Sequence, residues 1–170
     1  MNAQVETAIQ NLIAQTDLPM ADFRDAIIDQ LCILTNSEIA YFYATDMSET
    51  HLTLMGYSAG VMAECAIVDP NAVYDVSATG LWGDAIRERK PVITNDYPNS
   101  KRSSKRGIPE GHVHITRHMN LPVFADGRIV AIVGVGNSPD PYTMDDADNM
   151  AALMDAVWTY FEKALWAAVW

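Results

Sequence analysis

Apolar positions in the first part of the chain recur at helical spacing. Val5, Ala8, Ile9, Leu12 and Ile13 form one stripe over residues 2–15. Asp17 and Pro19 break and restart the pattern, since proline suits the first turn of a helix. Phe23, Ile27, Leu31 and Leu34 then carry a second stripe to a stop at Asn36. From Glu38 the period drops to two: Ile39, Tyr41 and Tyr43 alternate with Ala40, Phe42 and Ala44, which predicts a strand. Turn residues Asp46 to Thr50 and a second strand through Leu52, Leu54 and Gly56 complete a hairpin. A third strand is predicted over 61–68, before Asp69-Pro70-Asn71.

Gly80-Leu81-Trp82-Gly83 opens a short helix that ends near Arg89, because Lys90-Pro91 disfavours continuation. Val92-Ile93 reads as a short strand. Residues 94–111 form the longest irregular stretch, punctuated by Pro98, Gly107, Pro109 and Gly111; loops of this length inside a compact domain often serve function. Two strands, 112–124 and 128–136, meet at Ala125-Asp126-Gly127, a hairpin signal. The last helix starts near Thr143, with Asp145, Asp146 and Asp148 matching the positive end of its dipole. Its seam, Ala147, Met150, Met154, Val157, Phe161, Ala164 and Ala168, packs on the domain's own sheet or on a partner subunit. The apolar end, Ala164 to Trp170, predicts a neighbour or a cut from a longer protein. The order α-α-β-β-β-α-β-loop-β-β-α describes an α+β domain with a mainly antiparallel sheet, terminal helices on one face and loops on the other. Residues 1–18 read as a helical extension to a domain spanning 19–170.

Composition narrows the function classes. The 170 residues include 22 acids against 11 Lys and Arg, a formal charge of −11 that argues against general nucleic-acid binding or docking on acidic lipid. With no signal-peptide pattern and no membrane-spanning apolar run, the chain reads as soluble and cytoplasmic. Two cysteines, Cys32 and Cys65, exclude a disulfide scaffold. The charge is uneven, however. Residues 87–117 hold eight of the eleven cations against three acids, a net of +5 that leaves −16 for the remainder. That segment is either a solvated loop or an attractor for a small anion.

Several residue groups are candidates for chemistry. His112, His114 and His118 would share one face of a strand, which invites a metal, but His-x-His is a weak signal and no fourth ligand stands beside it. Haem ligation by one of these histidines or by Cys65 stands on the same footing. Neither a Gly-x-Ser-x-Gly elbow, a Cys-x-x-Cys pair nor a phosphate-cradling loop occurs. Gly134-x-Gly136 reads as close approach within the sheet. Asn95-Asp96-Tyr97 forms an Asx-turn or aims polar groups into a cavity. Arg117, in an apolar stretch, needs a partner, with Asp96 or a ligand carboxylate as the choices.

These segments resemble the GAF domain, a small-molecule sensing module of signalling proteins. The likeness spans about residues 20–162 and is nearest to the sub-group found beside PAS domains in sensor histidine kinases and cyclic-dinucleotide enzymes. Gly80-Leu-Trp-Gly-Asp-Ala-Ile-Arg-Glu-Arg-Lys-Pro-Val-Ile93, Asn95-Asp-Tyr97 and Lys105-Arg-Gly-Ile-Pro-Glu-Gly-His112 carry it, with Arg117, Pro122-Val-Phe124 and Arg128-Ile-Val-Ala-Ile-Val-Gly-Val-Gly-Asn137. The resemblance implies five or six antiparallel strands, terminal helices behind them, and a pocket roofed by the short helix and long loop. It makes Trp82, Asn95, Asp96, Tyr97, His112 and Arg117 candidate ligand-binding residues, beside Tyr57, which with Trp82 and Tyr97 could stack on a ring. It also implies an output domain such as a histidine kinase or cyclic-dinucleotide enzyme, and a homodimer through the terminal helices. Asn137-Ser138…Tyr142…Asp145-Asp146 lacks the lysine of the cyclic-nucleotide signature, and no cysteine follows Cys65 to attach a bilin. The cysteines of free methionine-R-sulfoxide reductases are likewise missing from the loop and short helix. A non-enzymatic binding module is therefore expected. The alternatives are a ligand-free dimerisation or spacer domain, and a haem- or redox-sensing domain or redox enzyme using Cys65 or a metal.

Overall fold

The computed structural model describes residues 3–59, 72–107 and 113–169, without side chains beyond Lys163. The strand predicted over 61–68, Cys65 and His112 therefore lie outside the described residues. The elements are α1 (Ala3–Ile13), α2 (Met20–Thr35), β1 (Ile39–Thr45), β2 (His51–Tyr57), β3 (Val73–Asp75), α3 (Asp84–Glu88), β4 (Val92–Thr94), β5 (His118–Ala125), β6 (Arg128–Gly136) and α4 (Met144–Val169). Single 3₁₀ turns at 76–78 and 81–83 precede α3.

Local chemistry sets the element ends. Asn36 closes α2 in the left-handed conformation (φ 50°), and the Ser37 amide returns to the Cys32 carbonyl at 2.9 Å. Thr143 and Asp146 cap α4 reciprocally: the Asp146 amide donates to the Thr143 hydroxyl at 3.3 Å and the Thr143 amide to the Asp146 carboxylate at 2.8 Å. Asp126 and Gly127 both take positive φ (50° and 75°), the two-residue turn that matches strand twist. In the β1–β2 turn, the Asp46 carboxylate accepts from the Thr50 and His51 amides at 2.7 and 2.8 Å.

The six strands form one antiparallel sheet in the order β3-β2-β1-β6-β5-β4. Pairing of β1 with β6 joins the N-terminal hairpin to the C-terminal one at the centre. Pro122 lies in β5 beyond the stretch that pairs with β4, residues 118–120, where that side of the strand has no ladder to interrupt.

The two faces differ in chemistry. Ala40, Phe42, Met119, Leu121, Val123, Ala131, Val133 and Val135 face α1, α2 and α4 in an apolar core. The seam residues Ala147, Met150, Met154, Val157 and Phe161 are fully buried there, against the domain's own sheet; Ala164 and Ala168 lie beyond the described side chains. Val5 and Leu12 of α1 are buried in the same core. On the other face, Leu52, Ile129, Ile132 and Tyr43 meet Val76, Trp82, Ala85 and Ile86 from the turns and α3.

Two local expectations change. β5 begins at His118 rather than 112, because residues 113–117 do not join the ladder: Thr116 gives its carbonyl to the Tyr97 amide (2.9 Å) and its amide to the Asn137 side chain (2.9 Å). His114 and His118 therefore do not share one strand face: His114 is exposed on this loop while His118 is buried on the strand. A short edge strand, Val73–Asp75, pairs with β2 where none was expected. Among the described residues, no helix is long and apolar enough to cross a membrane.

Candidate ligand-binding site

The face opposite the helices carries a polar row across three strands. Tyr41 of β1 pairs with Gly134 of β6, and Gly134 pairs with Asn120 of β5. With no side chain at position 134, the Tyr41 ring lies across the middle strand and its hydroxyl reaches the Asn120 side chain. A Cβ on Gly134 would overlap the Tyr41 ring and the Asn120 amide.

Donor counting orders this row. Asn120 is fully buried, and its Nδ2 donates to the Trp82 carbonyl at 2.8 Å, which turns Oδ1 toward Tyr41. The single Tyr41 hydroxyl proton goes to that oxygen. The Tyr41 oxygen must then accept from His118 Nε2, 2.7 Å away, so the imidazole carries a proton on Nε2. Burial, reinforced by neighbouring Tyr43, pushes the Tyr41 phenol well above its ordinary range, so it stays a neutral donor.

Rings surround the row. Tyr43 stacks on Trp82 with centroids 5.2 Å apart and meets Tyr41 edge-on at 5.5 Å. Tyr74 sets its edge against both Tyr43 (6.0 Å) and Trp82 (5.5 Å). His118 stacks beside Tyr41 at 6.1 Å, and Tyr97 from the long loop closes on His118 edge-on at 6.2 Å. Six rings thus run from the β3 edge to the roof loop.

The roof is tied by charge. Asp84, buried at the start of α3, accepts from Arg87 Nη2 (2.6 Å), Arg102 Nη1 (3.1 Å) and the Ser104 hydroxyl (2.6 Å). Burial opposes its charge, but hydrogen bonds from Ser104 and Arg87 outweigh it and hold the carboxyl below the usual range. Arg87 also donates to the carbonyls of Val76 (2.9 Å) and Gly80 (2.6 Å). The basic loop is therefore fastened to α3 rather than free in solvent. Lys105 adds a hydrogen bond to the Pro98 carbonyl (2.6 Å) and sits 5.2 Å over the Tyr97 ring.

Of the residues singled out from sequence, Trp82 and Tyr97 join the ring system, and Tyr57 pairs in register opposite Tyr41 on the same face. The others are engaged elsewhere. Asn95 clamps the backbone of Tyr142, accepting from its amide at 2.7 Å and donating to its carbonyl at 2.9 Å. Asp96 accepts from the Asn99 amide (3.3 Å) and side chain, an Asx-turn. Arg117 does not pair with Asp96. Its Nη1 donates to the Ser138 carbonyl at 3.1 Å, and its buried Nε has no partner among the described residues. His112 lies outside the described residues. Sequence reasoning missed Tyr41 and Asn120, and treated His118 only as a metal ligand. The available signal was His118-x-Asn120, two polar residues at same-face spacing in an apolar strand.

Two outcomes follow from this geometry. Gly134→Ala should cost about 1–3 kcal/mol in urea denaturation, and most of that cost should disappear in a Tyr41→Ala background; an unchanged cost would contradict the crossing. For Asp84, a carboxyl lowered by folding contributes stability above its unfolded value of about 4 and loses it as pH falls through the lower folded value. Asp84→Asn should thus be less stable than wild type by about 2 kcal/mol at neutral pH, the two converging in acid. Parallel pH profiles would count against this role.

A family model described as the GAF domain matches residues 17–162. The Methyl sulfide methyltransferase-associated sensor of Methanosarcina acetivorans is 37% identical over 163 residues, covering 96% of this chain and 16% of the relative. This chain therefore spans about a sixth of that relative's length. In structure it is similar to the GAF domain of an Acinetobacter phosphoenolpyruvate-protein phosphotransferase (TM-score 0.73, 13% identity, 96% of each chain). It is also similar to free methionine-R-sulfoxide reductase from Neisseria meningitidis (TM-score 0.70, 15% identity, 96% of this chain and 89% of that one). At these identities the two solved structures speak to fold alone, and they agree with the sheet order and helix placement above. Through the family match and its sensor relative, this chain belongs to the GAF domain family.

Proposed function

We propose that this GAF domain is the sensing module of a signalling protein, taking a small aromatic ligand with a polar or anionic substituent against the Tyr41–Asn120–His118 row. The observation that carries the proposal is the row itself. Three hydrogen-bonding side chains occupy a sheet position where apolar residues would pack without needing partners, and rings flank them. Trp82 and Tyr97 offer ring faces and edges to a planar ligand; Arg117, whose Nε has no partner among the described residues, favours negative charge on it.

Strand alternation supplies a route to the helices. Phe42 lies between Tyr41 and Tyr43 but points to the opposite face, where its ring contacts Phe161 of α4 at 4.9 Å. Met119 likewise separates His118 from Asn120 and packs under the helices. A ligand that binds one setting of the tyrosines better than another biases the packing of α4 by that difference in affinity. The relative is named a sensor and has most of its length outside the matched region, which fits a module working beside an output domain such as a histidine kinase or cyclic-dinucleotide enzyme. Ile13, Leu18, Ile33 and Tyr160 are exposed on or beside α1, α2 and α4, and support a homodimer through the terminal helices.

The function proposed is binding without turnover. Cys32, the described cysteine, lies on the helix side with its thiol pushed up to about 11 by burial, so it is not a thiolate nucleophile at neutral pH. Cys65, and with it the haem or redox alternative, lies outside the described residues. A second reading, a ligand-free spacer or dimerisation domain, is favoured by the rings, which already pack on one another.

A thermal-shift screen of hydroxybenzoates, indole carboxylates and aliphatic carboxylates separates the two. A ligand present at a hundred times its Kd should stabilise the chain by about 2.7 kcal/mol. Tyr41→Phe, which keeps the ring and removes the hydroxyl, should weaken that ligand by about tenfold. No shift across the screen favours the spacer; equal binding by Tyr41→Phe removes the polar row from the site.

A further inference from the structure

A concavity is built into the roof itself, and none of the six ring residues lines it. It encloses about 530 Å³ between the 76–79 turn, α3 and residues 102–106, large enough for a small organic ligand. The described residues of its wall are all polar: Arg87, Arg102 and Arg106 stand with Asp84, Glu88 and hydroxyls that include Ser103.

The three arginines are not equally occupied. Arg87 is spent on Asp84, on Thr79 and on the carbonyls of Val76 and Gly80. Arg102 uses only Nη1, shared between Asp84 (3.1 Å) and Glu88 (2.5 Å). Arg106 uses only Nη2, on the Ser77 carbonyl at 3.2 Å. Among the described residues, the Nε and Nη2 of Arg102 and the Nε and Nη1 of Arg106 have no hydrogen-bond partner, so two guanidinium forks four residues apart keep open edges at one cleft. The exposed Ser103 hydroxyl lies between them in the chain.

Charge favours an anion there. Three guanidinium groups meet two carboxylates, leaving a net positive cleft on a chain of −11. Both carboxylates are already engaged, Asp84 by Arg87, Arg102 and Ser104, and Glu88 by Arg102 and Lys90. A carboxylate is satisfied by one fork; two forks and a hydroxyl match a group with three or more acceptor oxygens and up to two negative charges. We propose that this cleft binds the phosphate group of a small phosphorylated molecule, with Arg102 and Arg106 as its forks and the Arg87–Asp84 pair as a fixed floor. The polar wall recognises the charged head and leaves the rest of the molecule toward solvent.

Titration calorimetry with inorganic phosphate and pyrophosphate, at ionic strength held constant with potassium chloride, tests the site on the whole chain. Saturable binding by either anion is expected, with Arg106→Ala weakening it about tenfold and acetate failing to compete. Among the described residues the Arg106 side chain makes one hydrogen bond, to the Ser77 carbonyl, so its variant should keep the wild-type melting temperature, and Arg102→Gln provides an independent second variant. The proposal is overturned if no saturable heat appears, if both variants bind like wild type, or if acetate competes as well as phosphate. An aromatic ligand of the inner site should bind Arg106→Ala normally, so failure here leaves the sensing site standing.

Discussion

Tyr41 reaches Asn120 two strands away because the strand between them has no side chain at position 134. Adjacent strands lie about 4.8 Å apart, so the crossing spans nearly 10 Å of sheet, which a phenol can bridge only over a glycine. The contact orients everything nearby. It fixes the Asn120 amide, which holds the Trp82 carbonyl and with it the turn leading into α3; it also fixes which nitrogen of His118 carries the proton. Remove the gap, and Tyr41 must tilt out of a row that buries three hydrogen-bonding groups. Gly136 repeats the arrangement one pair along, where a Cβ would press on Ile39 of β1.

The same strands build two surfaces of opposite character. Residues facing the helices are almost uniformly apolar, whereas those facing the roof mix aromatic and polar side chains with the aliphatic cluster of Leu52, Ile129 and Ile132. Because alternation places Phe42 between two tyrosines and Met119 between His118 and Asn120, any displacement on one face must be accommodated on the other. The helix side is close-packed, with Phe42, Phe161 and Met154 fully buried, so small shifts are transmitted rather than absorbed. The roof is held by Asp84 and its arginines as well as by the Asn120 bond to the Trp82 carbonyl. One carboxylate thus anchors the loop that carries Tyr97, and the loop's surplus guanidinium edges stay open at the roof cleft.

Much of the fold was legible because its signals are local. The stripes of the first two helices, the Asp126-Gly127 turn and the long C-terminal seam each state their structure within a few residues. The start of β5 was misplaced because His112, Val113, His114 and Ile115 alternate as a strand would, while bonds from Tyr97 and Asn137 keep 113–117 in a loop. The site was less legible. Trp82 and Tyr97 stand in segments that carry the family resemblance, but Tyr41, Gly134 and Asn120 meet only through the β1-β6-β5 order, which no local pattern encodes. The need of Arg117 for a partner was sound physics, met by the Ser138 carbonyl rather than by Asp96. Asn95 was expected at the ligand, whereas both ends of its amide serve the Tyr142 backbone before α4.

The claim at the centre is that the ring-lined face takes a ligand and that the opposite face feels it. Two-dimensional NMR of the chain, titrated with the strongest aromatic acid from a binding screen, addresses both halves in one measurement. The account predicts the largest shifts at Tyr41, Trp82, His118 and Asn120, with smaller, concentration-matched shifts at Phe42 and Phe161. Saturable shifts that leave these four residues unmoved, or that stop at the sheet without reaching Phe161, would contradict it.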